Sequence, residues 1–497
     1  MLDLLPNEIW SDSSIKILDP ACKSWVFLRE AAKRFIKWLE NEFPNLQERI
    51  DHIMTKQLFW IWITNLTALL SRRSLYCSKN AKFDPDDDLW KYSICTKFEA
   101  NDWNIWFDRV EHERKNWNCI HCGASQSEYE RNSELESHAY KFIHSTPEEI
   151  NTLFGLDHKM RFDVIIWNPP YQLSDWWAWA SAKPIYNYFV DVAKKVSPKY
   201  LCMIIPARRF VWWKWLDNFR ETMINDKNIS VLHDYIDASM IFPWVDIKWW
   251  VCYFLRDVTK ETKCRIFTHT KEKIDFSERY LKTEWSDIFI RDEMQIKILN
   301  KVSEKWEKSF CSLVSSRKPY WLASDVIWNE GKYWLKNFSE TSIEWWNEIH
   351  WLLKLKRVVR YIDKNYNIPN NGNEIWLWKI FIPNAYGCWW IWETIPSPIL
   401  WWAFIWKPNA ISTETFLRIW PFKTENEANN AFSYLKTKFF RLLVWIKKQT
   451  QHTSKDTYSF VPMQDFSKPW TDEELYKKYN LSQEEIDYIE TMIKPMD

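Results

Sequence analysis

Glycine is nearly missing. Five glycines stand in 497 residues, where ordinary usage of about 7% gives roughly 35. That excludes collagen-like chains and glycine-rich linkers. Long apolar runs are missing too: none reaches the ~18 residues of a membrane-spanning helix, and mean hydropathy is −0.46. The start, MLDLLPNEIW, lacks the basic region and apolar run of a secretory leader. A cytoplasmic location and no membrane partner are therefore expected. An excess of one charge is also absent, since 67 Lys and Arg face 66 Asp and Glu, for a net charge of +1. The sum gives no overall bias toward a polyanion, but a local basic patch stays open. Ten cysteines are scattered with a single Cys-x-x-Cys pair. They read as reduced thiols, not as a disulfide framework.

What is present in excess is tryptophan. Its 38 copies and the 5 glycines together come to about what the two residues should jointly be. Many sit where glycine belongs: Trp25 in a loop after Ser24, and the pairs Trp176-Trp177, Trp212-Trp213 and Trp249-Trp250 in turn-like or strand-end contexts. The pattern predicts that UGA codons meaning glycine have been read as tryptophan, since bacterial lineages assign UGA to either residue. Trp470, in KPWTDEEL before a helix, reads as a genuine tryptophan. TGG codons at most of the other positions would refute this reading. The distinction is physical, because glycine reaches positive φ and lets backbone approach a ligand, and tryptophan does neither.

The length calls for two or three domains. Over the first half, apolar runs at 15–19, 57–63, 162–167, 200–205, 229–236 and 249–255 read as strands. Helical periodicity at 26–40, 183–196 and 214–225 lies between them. Alternation of this kind predicts an α/β fold with a mostly parallel sheet over residues 1–257. Residues 77–135 are polar and read as an insertion. Residues 258–464 lose the alternation and read as a second, mixed α+β domain, followed by a charged, helical tail at 465–497.

Two motifs carry chemistry. Asn168-Pro169-Pro170-Tyr171 follows the buried run FDVIIW. An exocyclic amine is a poor nucleophile because its lone pair is delocalised into the ring. The Asn168 side-chain oxygen and the Pro169 carbonyl can accept both amine hydrogens. The two prolines stiffen the loop that holds these acceptors. Tyr171 offers a face on which a planar base stacks. A base in a duplex reaches such a loop only when flipped out of the stack. The second motif is Asp19-Pro20-Ala21-Cys22-Lys23-Ser24-Trp25, followed by Val26 and Phe27. A strand, a tight loop and a helix make a nucleotide-type site at the carboxyl end of a sheet.

With Trp25 read as glycine the loop becomes DPACKSG. Residues 168–186 then read NPPYQLSDGGAGASAKPIY, and 242–255 read FPGVDIKGGVCYFL. On these segments the chain resembles the adenine-N6 DNA methyltransferases of restriction-modification systems, in the group whose cofactor motif precedes the catalytic motif. The resemblance covers residues 1–257. It implies a Rossmann-like methyltransferase sheet and a C-terminal target-recognition domain. The implied cofactor is S-adenosyl-L-methionine, held by Asp19, Pro20, Ala21, Cys22, Ser24, Trp25 and Phe27. Asn168, Pro169, Pro170 and Tyr171 become catalytic, and Phe242 lines the target-base pocket. Double-stranded DNA is the implied partner, with a cognate restriction endonuclease a further one. The chain departs from the family in three places. The family's upstream Phe and Thr-Pro motif is missing before Met1, which leaves a truncated or misassigned start open. The run LFWIWIT ends without the acid that binds the cofactor ribose, with only Thr64 or Asn65 nearby. Lys23 replaces a common glycine.

Cys119-Ile120-His121-Cys122-Gly123 resembles half of a zinc ribbon or knuckle. Tetrahedral zinc needs four ligands, which Cys77 and Cys95 could complete, with His112 and His121 as alternatives. In the second domain, Lys354-Leu355-Lys356-Arg357, Phe439-Phe440-Arg441 and Lys447-Lys448 are candidate DNA contacts. Asn-Pro-Pro-Tyr also serves methylation of an RNA base or of a protein glutamine. A bifunctional restriction enzyme and a non-catalytic DNA-binding remnant are further alternatives.

Overall fold

The computed structural model describes residues 1–22, 26–62, 67, 70–71, 104–106, 110–129, 139–154, 161–172, 184–207, 216–243, 250–327, 338–353, 356–384, 396–400, 402–448 and 453–496. The chain divides into two compact units, Met1–Leu281 and Lys282–Asp497.

The first unit opens with β1 (Ile17–Cys22), α1 (Val26–Trp38), α2 (Leu46–His52) and β2 (Leu58–Trp62). The short strands β3 (Ile105–Trp106), β4 (Arg114–Lys115) and β5 (Asn118–Cys119) follow, then helices α3 (Gln126–Tyr129) and α4 (Pro147–Thr152). Next come β6 (Val164–Trp167), α5 (Tyr186–Val196), β7 (Tyr200–Pro206), α6 (Asp217–Ile224) and β8 (Ile229–Tyr235). Strands β9 (Val251–Asp257), β10 (Cys264–His269) and β11 (Ile274–Arg279) complete the unit.

Nine of these strands form one sheet in the order β11-β10-β8-β9-β7-β6-β1-β2-β3. β3, β2, β1, β6 and β7 run parallel, and β9 inserts antiparallel between β7 and β8. The central strands read as apolar runs because both faces are covered: every residue of β2, β6 and β7 is buried. α1 closes one face through Leu28, Ala31, Ala32 and Phe35, which recur at the spacing of one helical stripe. The parallel run of strands is the α/β sheet that the alternation predicts.

Two boundaries differ from the sequence reading. The first unit runs on to Leu281 instead of ending at 257, because β10 pairs with β8 and β11 with β10. β1 continues through Pro20 to Cys22 instead of ending at Asp19. Asp19 pairs with Trp60 and Cys22 with Trp62, so β1 carries one extra residue between them. A bulge is where a strand tolerates Pro20, which has no N–H to donate.

The second unit begins with α7 (Glu293–Ser303) and holds two small sheets. β12 (Phe338–Ser339), β13 (Asn347–Leu353), β14 (Lys356–Ile362) and β17 (Ala410–Ser412) form one, in the order β12-β14-β13-β17. β15 (Trp378–Pro383), β16 (Phe404–Trp406) and β18 (Phe416–Phe422) form the other, with β15 central. Helices α8 (Glu425–Lys436), α9 (Lys438–Lys447), α10 (Asp472–Lys478) and α11 (Gln483–Met492) follow. α10 and α11 start on capping boxes, Thr471 with Glu474 and Ser482 with Glu485. The C-terminal tail is therefore helical and belongs to this unit.

Backbone geometry bears on the excess tryptophan. Asn116-Trp117 is the two-residue loop joining β4 and β5, with φ of 53° and 67°. Positive φ at both positions is the hairpin turn that selects Asn-Gly. Trp306, Trp321 and Trp345 also have positive φ, and all four side chains are largely exposed. Trp470 behaves as a working tryptophan. Its indole Nε1 donates to the Asp465 carbonyl at 2.7 Å, and Lys468 lies over its ring.

Candidate active site and metal cluster

The place where a doubly wound sheet binds ligands is the switch point, where neighbouring strands lead their helices away in opposite directions. In this sheet that point lies between β1 and β6. From β1 the chain order proceeds outward to β2 and β3, and from β6 it proceeds the other way to β7. β1 and β6 are parallel neighbours, with Ile17 opposite Val164 and Leu18 opposite Ile165. Their amino ends are pinned together. Asp163 accepts from the Lys16 amide at 2.9 Å, and the Asp163 and Val164 amides donate to the Lys16 carbonyl. The two motifs therefore leave the same edge of the sheet side by side: Asp19 to Cys22 from β1, and Asn168 to Tyr171 from β6.

Asp19 is buried at 3% exposure. Phe27, in the first turn of α1, packs half-buried against the core of the first unit. Lys23, Ser24 and Trp25 lie outside the described residues, as do Thr64 and Asn65. Nothing is described of the Ala21 and Cys22 side chains.

Pro169 and Pro170 are buried and Asn168 is half-buried. The Asn168 side-chain oxygen is buried and accepts no hydrogen bond among the described residues. A buried acceptor without a partner costs about 1–3 kcal/mol. Tyr171 is held from its backbone, since its carbonyl accepts from the Ile185 amide at 3.3 Å, and Gln172 bridges to Pro184. Burial, with smaller contributions from Cys252 and Tyr186, pushes the Tyr171 phenol far above its ordinary value. The ring stays neutral. Tyr171 and Phe242 pack against the same cluster of Ile204, Ala238 and Val251, together with Met1. The structure thus brings together two aromatic residues that lie far apart in sequence.

The Cys-x-x-Cys pair sits in a second cluster. Cys119 and Cys122 converge with His112 and His144, and one ligand atom from each lies within 4.8 Å of all the others. Cys122 Sγ is 3.5 Å from His112 Nδ1, and Cys119 Sγ is 3.9 Å from His144 Nε2. Cys77 and Cys95, expected to complete the set, lie outside the described residues. His121 stacks on His144 and points its Nε2 toward Glu113 at 3.4 Å. It is not among the four converging residues. His144 was not anticipated, because α3 and undescribed residues separate it from the cysteines and no fixed spacing announces it.

The basic-aromatic cluster of the second unit is corrected outright in its larger part. Phe439, Phe440 and Arg441 are buried, at 0%, 0% and 1% exposure. Arg441 donates to the carbonyls of Lys436, Thr437 and Lys494. Lys447 and Lys448 are buried too. Lys447 pairs with Asp287 and Asp456, and burial lowers Lys448 to about 8. These cations hold the unit together and offer nothing to phosphates. Lys356 and Arg357 remain exposed on β14, with Arg357 lying 4.6 Å over the Phe404 ring. Lys354 and Leu355 lie outside the described residues.

Comparison with known proteins bears on the whole. The family model for the Eco57I restriction-modification methylase matches residues 56–242. A Mycoplasma pneumoniae (strain ATCC 29342 / M129 / Subtype 1) protein named as an uncharacterized adenine-specific methylase is 35% identical over 324 residues, covering 59% of this chain and 77% of that protein. Among solved structures, the type IIL restriction-modification enzyme MmeI in complex with DNA overlaps with a TM-score of 0.47 at 11% identity, covering 90% of this chain and 62% of that one. The type IIG restriction endonuclease BpuSI overlaps at 0.38 and 10%, covering 96% and 59%. The chain thus spans about three fifths of each of these two enzymes. Among the described residues, no helix is long and apolar enough to cross a membrane.

Proposed function

The chain belongs to the adenine-specific methylases of the Eco57I restriction-modification family, and from that premise we propose that it methylates adenine N6 in double-stranded DNA at the carboxyl ends of β1 and β6. The observation that carries this reading is the adjacency of those two strands at the switch point. It sets a nucleotide-type loop beside a loop whose Asn168 oxygen is buried and without a partner among the described residues.

With Trp25 read as glycine, the loop after β1 suits S-adenosyl-L-methionine. Asp19, Pro20, Ala21, Cys22, Ser24, Trp25 and Phe27 would hold it, with the first turn of α1 favouring an anionic carboxylate. When bound, the cofactor supplies an electrophilic methyl group on a sulfonium. The chain's own residues prepare the amine. The Asn168 oxygen and the Pro169 carbonyl accept the two N6 hydrogens and localise the nitrogen lone pair. Pro170 keeps the loop stiff. Tyr171 stacks on the flipped base, and Phe242, in the same cluster, closes the pocket. The proton released after attack passes to solvent. The second unit contacts the duplex, and a separate cognate endonuclease in the cytoplasm completes the restriction-modification pair.

The test is transfer of labelled methyl from S-adenosylmethionine to unmethylated duplex DNA, RNA and protein, followed by nucleoside analysis. N6-methyladenine in DNA is expected. Label confined to RNA or protein overturns the reading.

A further inference from the structure

We propose that His112, Cys119, Cys122 and His144 bind one zinc ion as a closed structural site, which fastens the β4–β5 hairpin to the sheet behind Asn168. The inference stands apart from methyl transfer and rests on three observations.

The first is the donor set. Two thiols and two imidazoles converge with all four ligand atoms within 4.8 Å. Soft sulfur with imidazole nitrogen, four ligands and no carboxylate among them, selects tetrahedral Zn²⁺ over the hard cations. Cys119 and Cys122 are buried, at 3% and 0% exposure. Two thiolates balance the ion's charge, so a neutral unit is buried. Binding releases the two thiol protons to solvent and requires no oxidant.

The second is that, among the described residues, the hairpin has little apolar packing to hold it. β4 and β5 are two residues each, pairing Arg114 with Cys119 and Lys115 with Asn118, and their further backbone bonds, from Ile120 to Glu113, Cys119 to Ala124 and Gln126 to Trp117, stay within the same short segment. An isolated two-stranded hairpin is marginal at best in water. Among the described residues of 110–127, the buried side chains are Cys119, Cys122 and Ala124. Two of these three are ligands. The hairpin therefore has almost no apolar core, the situation in which small folds rely on a metal. The Cys-x-x-Cys turn itself is shaped for ligation. Gly123 follows at φ 65° and its amide donates to the Cys119 carbonyl at 2.9 Å, folding the two sulfurs to one side.

The third is where the fourth ligand leads. His144 ends the short turn Lys141–His144. Within that turn Phe142 is fully buried, edge-on to Trp167 at 5.3 Å and stacked on Phe189 of α5 at 6.2 Å. Trp167 is the last residue of β6 and immediately precedes Asn168. A metal held by the hairpin and by His144 thus fastens the insertion to the strand and helix that flank the Asn168 loop. Among the described residues, His121 is left outside the site.

The experiment uses the full chain purified without chelator. Metal analysis is expected to find about one zinc per chain. Replacement by Co²⁺ is expected to give the visible d–d bands of a tetrahedral thiolate site. His144→Ala and Cys122→Ser should lose the metal, whereas His121→Ala, Cys77→Ser and Cys95→Ser should keep it. Because a ligand loss can cost the fold, His112→Cys is the second variant: a three-sulfur set should retain zinc and shift the Co²⁺ spectrum toward stronger thiolate absorption. Chelation should make 110–144 sensitive to protease while the rest of the chain stays intact. A purified chain with no zinc that takes up no Co²⁺ overturns the proposal. So does a Cys119–Cys122 disulfide found by mass spectrometry in chain kept in reductant, or metal content lost in Cys77→Ser but not in His144→Ala.

Discussion

Replacing Trp117, Trp306, Trp321 and Trp345 together by glycine is expected to raise the unfolding free energy by about 2–4 kcal/mol. All four have left-handed backbone, with φ of 67°, 53°, 58° and 72°. A residue with a Cβ pays about 1–2 kcal/mol for that conformation. Glycine returns about 0.5–1 kcal/mol of this through its freer unfolded chain, so each site nets roughly 0.5–1 kcal/mol. Little burial is lost, because the side chains are 76%, 79%, 64% and 75% exposed. The four positions sit in separate turns, so their effects should add to within about 0.5 kcal/mol. Urea unfolding in buffer of fixed metal content measures the gain, since anything that binds only the folded chain also shifts the midpoint. Alanine at the same positions is the control. It removes the indole but keeps the Cβ, and should gain almost nothing. Trp470→Gly is the opposite control and should destabilise, since its indole bonds Asp465 and lies under Lys468. Equal gains from alanine and glycine would refute the argument, because the conformational cost would then not be the cause. Glycine at these positions in protein from the source cells, read by peptide mass spectrometry, is the expected companion result.

Asn168→Ala is expected to lower methyl transfer by about 10²–10³-fold while cofactor binding survives, measured by single-turnover transfer beside equilibrium dialysis. Tyr171→Phe should change transfer little, because the hydroxyl has no partner among the described residues, whereas Tyr171→Ala should cost about 1–3 kcal/mol of base binding. Asp226 is half-buried and accepts from Lys194 and Arg256, both at 2.8 Å. Burial alone would raise its carboxyl, but the two cations outweigh that and hold it below the ordinary value. Its stabilisation is therefore present above pH ~4 and lost as pH falls through the depressed value; Asp226→Asn should cost about 1–3 kcal/mol in urea unfolding at pH 7. Lys379 is fully buried, donates to the Ile375 and Ala410 carbonyls, and is lowered by burial to about 7. Above pH 7 the unfolded chain holds a proton that the folded chain has released, so stability from this group rises by about 2 kcal/mol between pH 7 and 9, and Lys379→Met should flatten that rise.

The parts of the fold that were legible share one property: their signal is local. β6 and β7 are buried on both faces, so they appear as unbroken apolar runs, and α1 shows its stripe at Leu28, Ala31, Ala32 and Phe35. β1 was read short because proline usually marks a loop, and only the pairing with β2 reveals that Pro20 occupies a bulge. β10 was assigned to the wrong side of the boundary because its partner is β8, with β9 intervening in the chain. The basic cluster at 439–448 misled for the opposite reason. Charge and aromaticity are what a phosphate contact needs, but Arg441 finds three carbonyls, one of them at Lys494, beyond two further helices.

The site follows the same division. Asn-Pro-Pro-Tyr is contiguous, and its chemistry can be argued from four residues. Its neighbours cannot. Phe242 joins Tyr171, and His144 joins Cys119, only because the sheet order and the packing of the Lys141–His144 turn bring distant segments together. The two strands that form the switch point are separated in sequence by the entire insertion. The described part of that insertion adds β3 to the sheet edge beside β2 and then forms the β4–β5 hairpin, which has almost no core of its own. A device that ties it down where it re-enters beside β6 is therefore what the topology requires. His144 stands at that place, two residues beyond Phe142, the ring that touches Trp167. The His112–Cys119–Cys122–His144 cluster and the Asn168 loop are in this sense one structural problem, because the chain between the two motifs comes back to the sheet next to the second of them.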